Sequence, residues 1–283
     1  MLINQTIDKL HVLNLMGMAR ALAEQQERAD YQSLSFEDRL GMLADREVQD
    51  RENRRLERNL KSARLRMSQA CIEDIDFRSK RSLDRSLILN LAEAQWVSAK
   101  HNILLTGATG SGKTFIACSL AHAALRRGHT ALYMRAPRML DELGIARADG
   151  RMPRFMLSLA RVAVLVIDDF ALTPLNADQA SNLLEVIEDR SQLRSTIVTS
   201  QLPLAHWHEA LGDPTLADAI LDRLFQNAVR IELKLTGRSL RRSHSDDVDV
   251  ADQPSDAADD APAQVPSATT EDRRARMLPH KAR

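Results

Sequence analysis

The chain has 283 residues, of which 44% are hydrophobic, so it is long enough for one large domain with appendages and for a packed core. Aromatic residues make up only 4%, which disfavours an all-β sandwich or barrel, and 39 basic and 39 acidic residues exclude a histone-like polycation. Cys71 and Cys118 are too few for a disulfide framework or a four-ligand zinc site. Because no run reaches the ~18 uncharged apolar residues of a membrane span, we expect a cytoplasmic protein with no membrane partner.

Residues 1–66 have the composition of several helices and are expected to form a small amino-terminal domain that contacts DNA or a partner. Ser35, with Asp38 three positions later, is a candidate N-cap. Residues 46–66 contain eight Lys and Arg against four Asp and Glu and no Pro or Gly, which predicts a helix with a broad basic face. The alternative is a solvated helix held by salt bridges at helical spacing. Residues 67–82 have weak periodicity and are expected to be a connector.

Residues 83–243 show short apolar runs that alternate with helical segments. The runs NILLT, TALYM, VAVLVID, STIVTS and AVRIEL predict five strands. Because the runs are apolar at successive positions, each strand is expected to be covered by helices on both faces. Strands that alternate with helices form parallel sheets, so the expected fold class is α/β.

Residues 244–283 are rich in Asp, Ala, Ser and Pro and carry few large apolar side chains, so we expect a disordered tail. The tail holds nine acidic and five basic residues. Subtracting these from the 39 of each sign in the whole chain leaves 34 basic and 30 acidic groups in residues 1–243. The expected folded part is therefore basic, and the zero net charge of the chain does not exclude a DNA partner.

The segment GATGSGKT matches the phosphate-binding pattern Gly-x-x-x-x-Gly-Lys-Ser/Thr. It directly follows a predicted strand and directly precedes a predicted helix, which is the context that this motif requires. Its glycines let backbone amides approach phosphate, and the helix amino terminus adds partial positive charge. We expect Lys113 to reach the β- and γ-phosphates and the Thr114 hydroxyl to bind Mg²⁺. The residues expected to bind the nucleotide are Gly107, Ala108, Thr109, Gly110, Ser111, Gly112, Lys113 and Thr114.

Two carboxylates, Asp168 and Asp169, follow the apolar run VAVLVI. They are expected at the carboxyl-terminal edge of a buried strand, where open α/β sheets bind ligands. Asp168 is then a second magnesium ligand beside Thr114, and Asp169 is the general base that polarises the attacking water. The sequence contains no Asn/Thr-Lys-x-Asp motif of the kind that reads guanine, so the expected cofactors are ATP and Mg²⁺.

Several segments, in this order, resemble the IstB-like transposition helper ATPases of bacterial insertion sequences. They are GATGSGKT, VLVIDDF, STIVTSQLP, WHEALGDPTLADAILDRL and RIELKLTGRSLRR, with LSFEDRLGMLADREVQDRENRRLERNLKSARLR in the amino-terminal region. The resemblance covers residues 8–243 and is most specific between Ser195 and Leu224. It implies an AAA+ P-loop NTPase with a five-stranded parallel sheet and a helical amino-terminal domain, similar to the DnaC-like helicase loaders.

The resemblance also assigns roles to polar residues that follow the phosphate loop. The sensor-1 position, whose side chain contacts the γ-phosphate or orients water, falls at Ser200 or Gln201. Arg223 matches the arginine finger, which reaches the ATP of a neighbouring subunit and stabilises the transferring charge. Without the family, Arg223 is interpreted as a helix-surface arginine that pairs with Asp222 or Asp218. The sensor-2 position falls at Arg241, with Arg242 as the alternative.

An arginine finger that acts in trans implies a homo-oligomer, which is either a ring or a helical filament. The resemblance implies an ATP-hydrolysing helper of DNA transposition that binds target DNA and recruits and activates the partner transposase. Two alternatives remain, a DnaC-like loader of a replicative helicase and a nucleotide-binding scaffold with little hydrolysis.

Clustered Lys and Arg side chains predict contact with the backbone of duplex DNA, with deformation of the duplex and no base reading. Two segments qualify, the basic helix and the segment RADGRMPR, which is expected to be a loop between the second and third strands. For the second segment, the alternative is an ordinary solvated loop. The residues expected to contact DNA are Arg51, Arg54, Arg55, Arg58, Lys61, Arg64, Arg66, Arg147, Arg151 and Arg154.

Overall fold

Five short apolar strands form one parallel sheet, with the order β2-β3-β4-β1-β5. The computed structural model describes residues 2–78 and 82–234, so the expected tail at 244–283 and the sensor-2 candidates Arg241 and Arg242 lie outside the described residues. The predicted α/β fold with a five-stranded parallel sheet is confirmed. The strands are β1 (Ile103–Gly107), β2 (Ala131–Arg135), β3 (Val164–Asp168), β4 (Ser195–Ser200) and β5 (Val229–Leu233).

Helices cover both faces of the sheet and precede it in the chain. Because side chains alternate along a strand, Ile103 and Leu105 pack into the core on one face of β1, whereas Leu104 packs into the core on the other. The helices are α1 (Leu2–Val12), α2 (Met16–Glu27), α3 (Phe36–Ala63), α4 (Arg85–Ala92), α5 (Gln95–Ser98), α6 (Lys113–Arg126), α7 (Ala136–Ala148), α8 (Met152–Arg161), α9 (Ala177–Arg190), α10 (Trp207–Ala210) and α11 (Pro214–Phe225). Short 3-10 turns span Ala29–Ser33 and Leu204–His206. In the part of the chain that the structure describes, every helix is too short or too polar to traverse a lipid bilayer.

The long helix α3 carries the predicted basic face and begins at the predicted N-cap. The Ser35 hydroxyl accepts a hydrogen bond from the amide of Asp38 at 3.1 Å. The helix ends where Arg64 adopts a left-handed conformation with a φ of 50°. The carboxyl-terminal half of α3 lies on the sheet domain, because Leu56 and Leu60 pack against the core formed by α6 and the strands.

The connector also joins this core. It has no helix or strand within residues 67–78, but Ala70, Ile72 and Ile75 are buried in the same cluster as Ala63 at the end of α3. The domain boundaries after residues 66 and 82 remain predictions. The end of α3 and the connector pack into the same core as the sheet. Any movement at the end of α3 must therefore displace side chains in the core of the sheet domain.

The segment RADGRMPR is mostly helical, and the prediction of a loop there is wrong. Arg147 belongs to the last turn of α7, and α8 begins at Met152. Pro153 lies in the first turn of α8, where a helix tolerates proline because the first amides have no intrahelical acceptor. Only three residues, Asp149 to Arg151, separate the two helices.

Candidate nucleotide site

The phosphate loop lies between the end of β1 and the start of α6. Gly107 has a φ of 148°, and a Cβ there would lie 2.4 Å from the carbonyl oxygen of Leu233, so the position requires glycine. Gly110 and Gly112 have φ values of 82° and 89°, in the left-handed region. Helix α6 begins at Lys113, directly after the loop, so its positive dipole end faces the loop. This geometry suits a loop that wraps phosphate with backbone amides.

The side chain of Lys113 is buried against the same loop. Its ammonium group donates hydrogen bonds to the carbonyl oxygens of Gly107 at 2.6 Å and Ala108 at 2.8 Å. Phosphate oxygens would replace these carbonyls as acceptors, since charge-assisted bonds between ions are the stronger ones. Lys113 is therefore already placed at the loop that it is expected to serve.

Asp168 is the buried carboxylate of the site. It ends β3, is fully buried, and its two oxygens lie 3.0 and 3.2 Å from the hydroxyl of Thr114. Because β1 and β3 both neighbour β4, their carboxyl ends lie at one edge of the sheet. The structure thus brings together the two side chains that the sequence analysis expected to share a magnesium ion.

Two hydroxyl groups that the sequence analysis missed also bind Asp168. Tyr133 donates from β2 at 2.5 Å, and Thr199 donates from β4. Burial and the hydrogen bond to Asp168 raise the pKa of Tyr133, which keeps it a neutral donor. The available signal was weak: each hydroxyl lies near the carboxyl end of a predicted strand, but nothing local shows that it faces Asp168.

Asp169 is flanked by two arginines at the same edge of the sheet. The residue has a φ of 58°, and its carboxylate accepts a hydrogen bond from Nε of Arg135 at 2.9 Å. Arg66 lies 3.7 Å from the Asp168 carboxylate and 4.0 Å from that of Asp169. A hydrogen bond with Tyr133, together with the two carboxylates, raises the pKa of Arg66. The sequence analysis grouped Arg66 with the DNA contacts of the basic helix, but its side chain lies at the nucleotide site because α3 ends before it.

The residues at this edge of the sheet fit ATP and Mg²⁺. Gly110 and Gly112 adopt left-handed φ values, the conformations that let the amides of such a loop turn toward phosphate. The Thr114 hydroxyl and the Asp168 carboxylate are hard oxygen donors in mutual contact, the donor set that Mg²⁺ prefers in phosphate sites. That these two residues hold the ion is a prediction that this geometry supports.

The two sensor-1 candidates lie in different surroundings. Ser200 is fully buried, and its hydroxyl donates to the carbonyl oxygen of Phe170 at 2.7 Å. Gln201 is exposed, and its side-chain oxygen accepts a hydrogen bond at 2.6 Å from Thr109 in the phosphate loop. Because Gln201 reaches the loop while Ser200 holds the backbone, this contact favours Gln201 for a role at the γ-phosphate.

Arg223 lies away from the phosphate loop of its own chain. It sits in α11, donates to Glu188 at 2.8 Å, and its backbone carbonyl accepts a bond from Asn102, which lies just before β1. This position is at the amino-terminal edge of the sheet, opposite the carboxyl edge that carries Lys113. Arg223 does form an ion pair, but its partner is Glu188 of α9 and not the expected Asp222 or Asp218. A role on ATP requires the site of another subunit.

The basic face of α3 contains paired and unpaired arginines. Glu47 is buried, and it accepts hydrogen bonds from the amides of Gly17 and Met18 and from Nε of Arg51 at 2.7 Å. Burial alone would raise the pKa of Glu47, but these hydrogen bonds hold it below its usual value. Arg54 lies 3.2 Å from the Asp50 carboxylate. The buried Glu47 and the partly buried Asp50 thus neutralise and orient the first two arginines of the series.

Arg55 and Arg58 line a concave surface between the turn after α1 and the exposed side of α3, which encloses about 390 Å³. Arg51, Arg54, Asn14 and one acidic residue, Glu52, also line it. Lys61 and Arg64 lie exposed further along the same part of the chain. This cluster of guanidinium groups has the chemistry of a site for backbone phosphates.

The second basic segment does not form a comparable surface. Arg147 is held by Asn182 at 2.6 Å and by Glu185 at 3.2 Å, and Arg151 pairs with Asp149. Arg154 is exposed on α8. Local partners therefore hold Arg147 and Arg151 at the solvent-exposed surface, and contact of this segment with DNA stays a prediction.

Replacing Tyr133 with Phe should raise the Mg²⁺ concentration needed for half-maximal ATP hydrolysis by about tenfold, as is usual when a partner that orients a metal ligand is lost. The reason is that Asp168 loses a hydroxyl donor that fixes its carboxylate. Steady-state hydrolysis at varied Mg²⁺ measures the effect. The matched control is Tyr31→Phe, which removes the hydroxyl of the other tyrosine, near α2. An unchanged magnesium dependence would show that Tyr133 does not position Asp168.

Comparison with known proteins gives matches over most of the chain. A sequence model of the family described as IstB-like ATP binding protein matches residues 8–247. The insertion sequence ATP-binding protein y4pL of Sinorhizobium fredii is 46% identical over 243 residues, which are 86% of this chain and 98% of the relative. The ATP-binding protein of insertion sequence IS1162 from Pseudomonas fluorescens is 51% identical over 203 residues, 72% of this chain and 88% of the relative. A crystal structure of the DnaC helicase loader aligns with 58% of this chain and 97% of its own, with a TM-score of 0.50 and 19% identity, which concerns the fold alone.

Proposed function

Because the chain belongs to the family of IstB-like ATP-binding proteins, we propose that it is an ATPase that helps DNA transposition. In this proposal the protein hydrolyses ATP with Mg²⁺, assembles as a homo-oligomer on duplex DNA, and recruits and activates the transposase of the same element. The observation that carries the ATPase part is the contact between Thr114 and Asp168 beside the glycine loop. The names of the relatives, which are insertion sequence proteins, support the transposition part.

The residues of the site divide the work of phosphoryl transfer. Lys113 turns from the carbonyls of the loop to the β- and γ-phosphates and neutralises their charge. Thr114 and Asp168 would hold Mg²⁺, which supplies charge neutralisation at the phosphates when bound. Asp169 accepts the proton of the attacking water, and Gln201, which contacts Thr109 of the loop, orients that water.

The transition state also needs positive charge at the γ-phosphate beyond that of Lys113 and Mg²⁺. Arg223 supplies it from a neighbouring subunit, since it lies at the opposite edge of its own sheet. Each ATP therefore sits between two subunits, and assembly is coupled to the nucleotide state. Repeated head-to-tail contacts of this kind give a ring or a helical filament.

Contact with DNA is assigned to the concave basic surface on α3. Arg55 and Arg58 line it and appear in no ion pair found among the described residues, unlike Arg51 and Arg54. Guanidinium groups of this kind bind backbone phosphate without reading bases. The duplex is bent as successive subunits hold its backbone, so sequence preference arises through deformability.

The double variant Arg55→Glu/Arg58→Glu should weaken binding of duplex DNA at least about tenfold and lower the salt slope of log K by about 2, because about two phosphate contacts are lost. Fluorescence anisotropy with labelled duplexes over a range of NaCl concentrations measures both quantities. The matched control is Arg161→Glu/Arg194→Glu, which reverses two exposed arginines just before β3 and β4. Equal affinity and slope in the two double variants would remove α3 from the DNA interface. Capture of the transposase, and not of a replicative helicase, from purified mixtures tests the partner.

A further inference from the structure

Arg66 connects the end of the basic helix to the carboxylates of the nucleotide site. It follows the last residue of α3 by three positions, after the left-handed turn at Arg64 and the buried Leu65. Its side chain is 42% exposed, yet it faces Asp168, which is completely buried. A single side chain thus belongs both to the segment that ends α3 and to the site that is expected to hold Mg²⁺.

The charges around the two carboxylates explain what Arg66 does there. Asp168 and Asp169 are adjacent in sequence, and both face Arg66 within 4.0 Å. Arg135 pairs with Asp169 at 2.9 Å. Arg66 pairs with Asp168, and this is the carboxylate that is expected to bind the metal.

We propose that Arg66 is a positioning residue that supplies positive charge to Asp168 and Asp169 until Mg²⁺ and nucleotide bind, and that their binding moves it. When Thr114 and Asp168 hold a divalent cation, that cation repels a guanidinium group 3.7 Å from Asp168. Arg66 then leaves Asp168 as the metal ion takes its place.

This exchange couples nucleotide binding to the position of α3. The end of the helix is fixed on the sheet domain by Leu56, Leu60 and Ala63, so a shift of Arg66 is transmitted to a packed helix and not to a loose linker. The consequence for DNA rests on the proposed function, because it assumes that Arg55 and Arg58 bind the duplex. In that case nucleotide and DNA must alter each other's affinity by the same factor.

The test uses the full chain, fluorescent ADP, and titrations with and without Mg²⁺. The magnesium factor is the ratio of the ADP dissociation constant in EDTA to that in Mg²⁺. It should grow about fivefold in Arg66→Gln, because metal-free ADP then faces two carboxylates with less compensating charge. Arg66→Lys should lie between the wild type and Arg66→Gln, and Arg78→Gln, which removes an exposed charge in the connector, should match the wild type. A factor that is equal or smaller in Arg66→Gln overturns the proposal.

Hydrogen exchange gives a readout that is independent of affinity. In the wild type, Mg²⁺ and ADP should change the exchange of backbone amides in residues 60–70, and in Arg66→Gln this response should be lost. An identical response in both proteins overturns the proposal, and Arg66→Lys decides if Arg66→Gln does not fold. The ADP titrations and the hydrogen exchange contain no DNA. A wild type that fails to bind duplex DNA would therefore refute the proposed DNA binding but leave the role of Arg66 unaffected.

Discussion

A mixture of Lys113→Ala and Arg223→Ala subunits is expected to hydrolyse ATP, although each variant alone should be reduced by about 10³-fold. The reason is geometric. In one chain Lys113 lies at the carboxyl edge of the sheet, while Arg223 lies at the amino edge, bonded to Glu188. If Arg223 acts on a neighbour, about one quarter of the sites in a random one-to-one mixture combine an intact Lys113 with an intact Arg223.

The mixing experiment has a matched control in Lys113→Ala with Asp168→Asn. Both of these residues act within their own chain, so their mixture should not recover activity. The rate of phosphate release as a function of the mixing ratio distinguishes the two pairs. If the Arg223 mixture stays as inactive as the control, Arg223 has a structural role in its ion pair with Glu188, and the arginine finger must be sought elsewhere.

Arg190→Ala should lower the free energy of unfolding by about 4 kcal/mol, the largest stability effect that we expect from a single charged residue here. Arg190 is 1% exposed and donates hydrogen bonds to the carbonyl oxygens of Leu159, Val162 and Ser195 and to the hydroxyl of Thr196. It thereby joins the ends of α8 and α9 to the start of β4. Burial lowers its pKa to about 9, so the group remains protonated at neutral pH.

Urea unfolding followed by circular dichroism measures this change. Alanine leaves a cavity and buried carbonyl groups without donors, and these two costs add. Arg194→Ala is the control, since that arginine is exposed four residues later and should change stability by less than about 0.5 kcal/mol. A loss below about 1 kcal/mol in Arg190→Ala would mean that water reaches the freed carbonyls and satisfies them.

The features that the sequence predicted correctly are those that local pattern determines. The five strands are apolar runs between helices, and GATGSGKT needs its glycines whatever surrounds it. The neighbourhood of Asp168 could not be predicted in the same way. Tyr133 and Thr199 reach it from two other strands, so their contacts depend on sheet order and register.

The positions of two arginines also depend on contacts between distant parts of the chain. Arg66 continues the basic pattern of the preceding helix, and only the left-handed turn at Arg64 moves it to the nucleotide site. Arg190 ends a helix with ordinary amphipathic spacing, where an arginine is usually exposed. Its burial follows from carbonyl groups that are 28 to 31 residues earlier in the chain, at Val162 and Leu159. The partners of both arginines are too distant in the sequence for a local pattern to indicate them.

The contact between Gly107 and Leu233 has a practical consequence for anyone who handles this protein. Strand β5 pairs with β1 up to these two residues, and the carbonyl group of Leu233 lies against the first glycine of the phosphate loop. Leu233 therefore forms part of the wall of the nucleotide pocket. An affinity tag, fluorescent protein or truncation placed directly after Lys234 would act on nucleotide binding itself, whereas the same addition before α1 would start far along the chain from that wall.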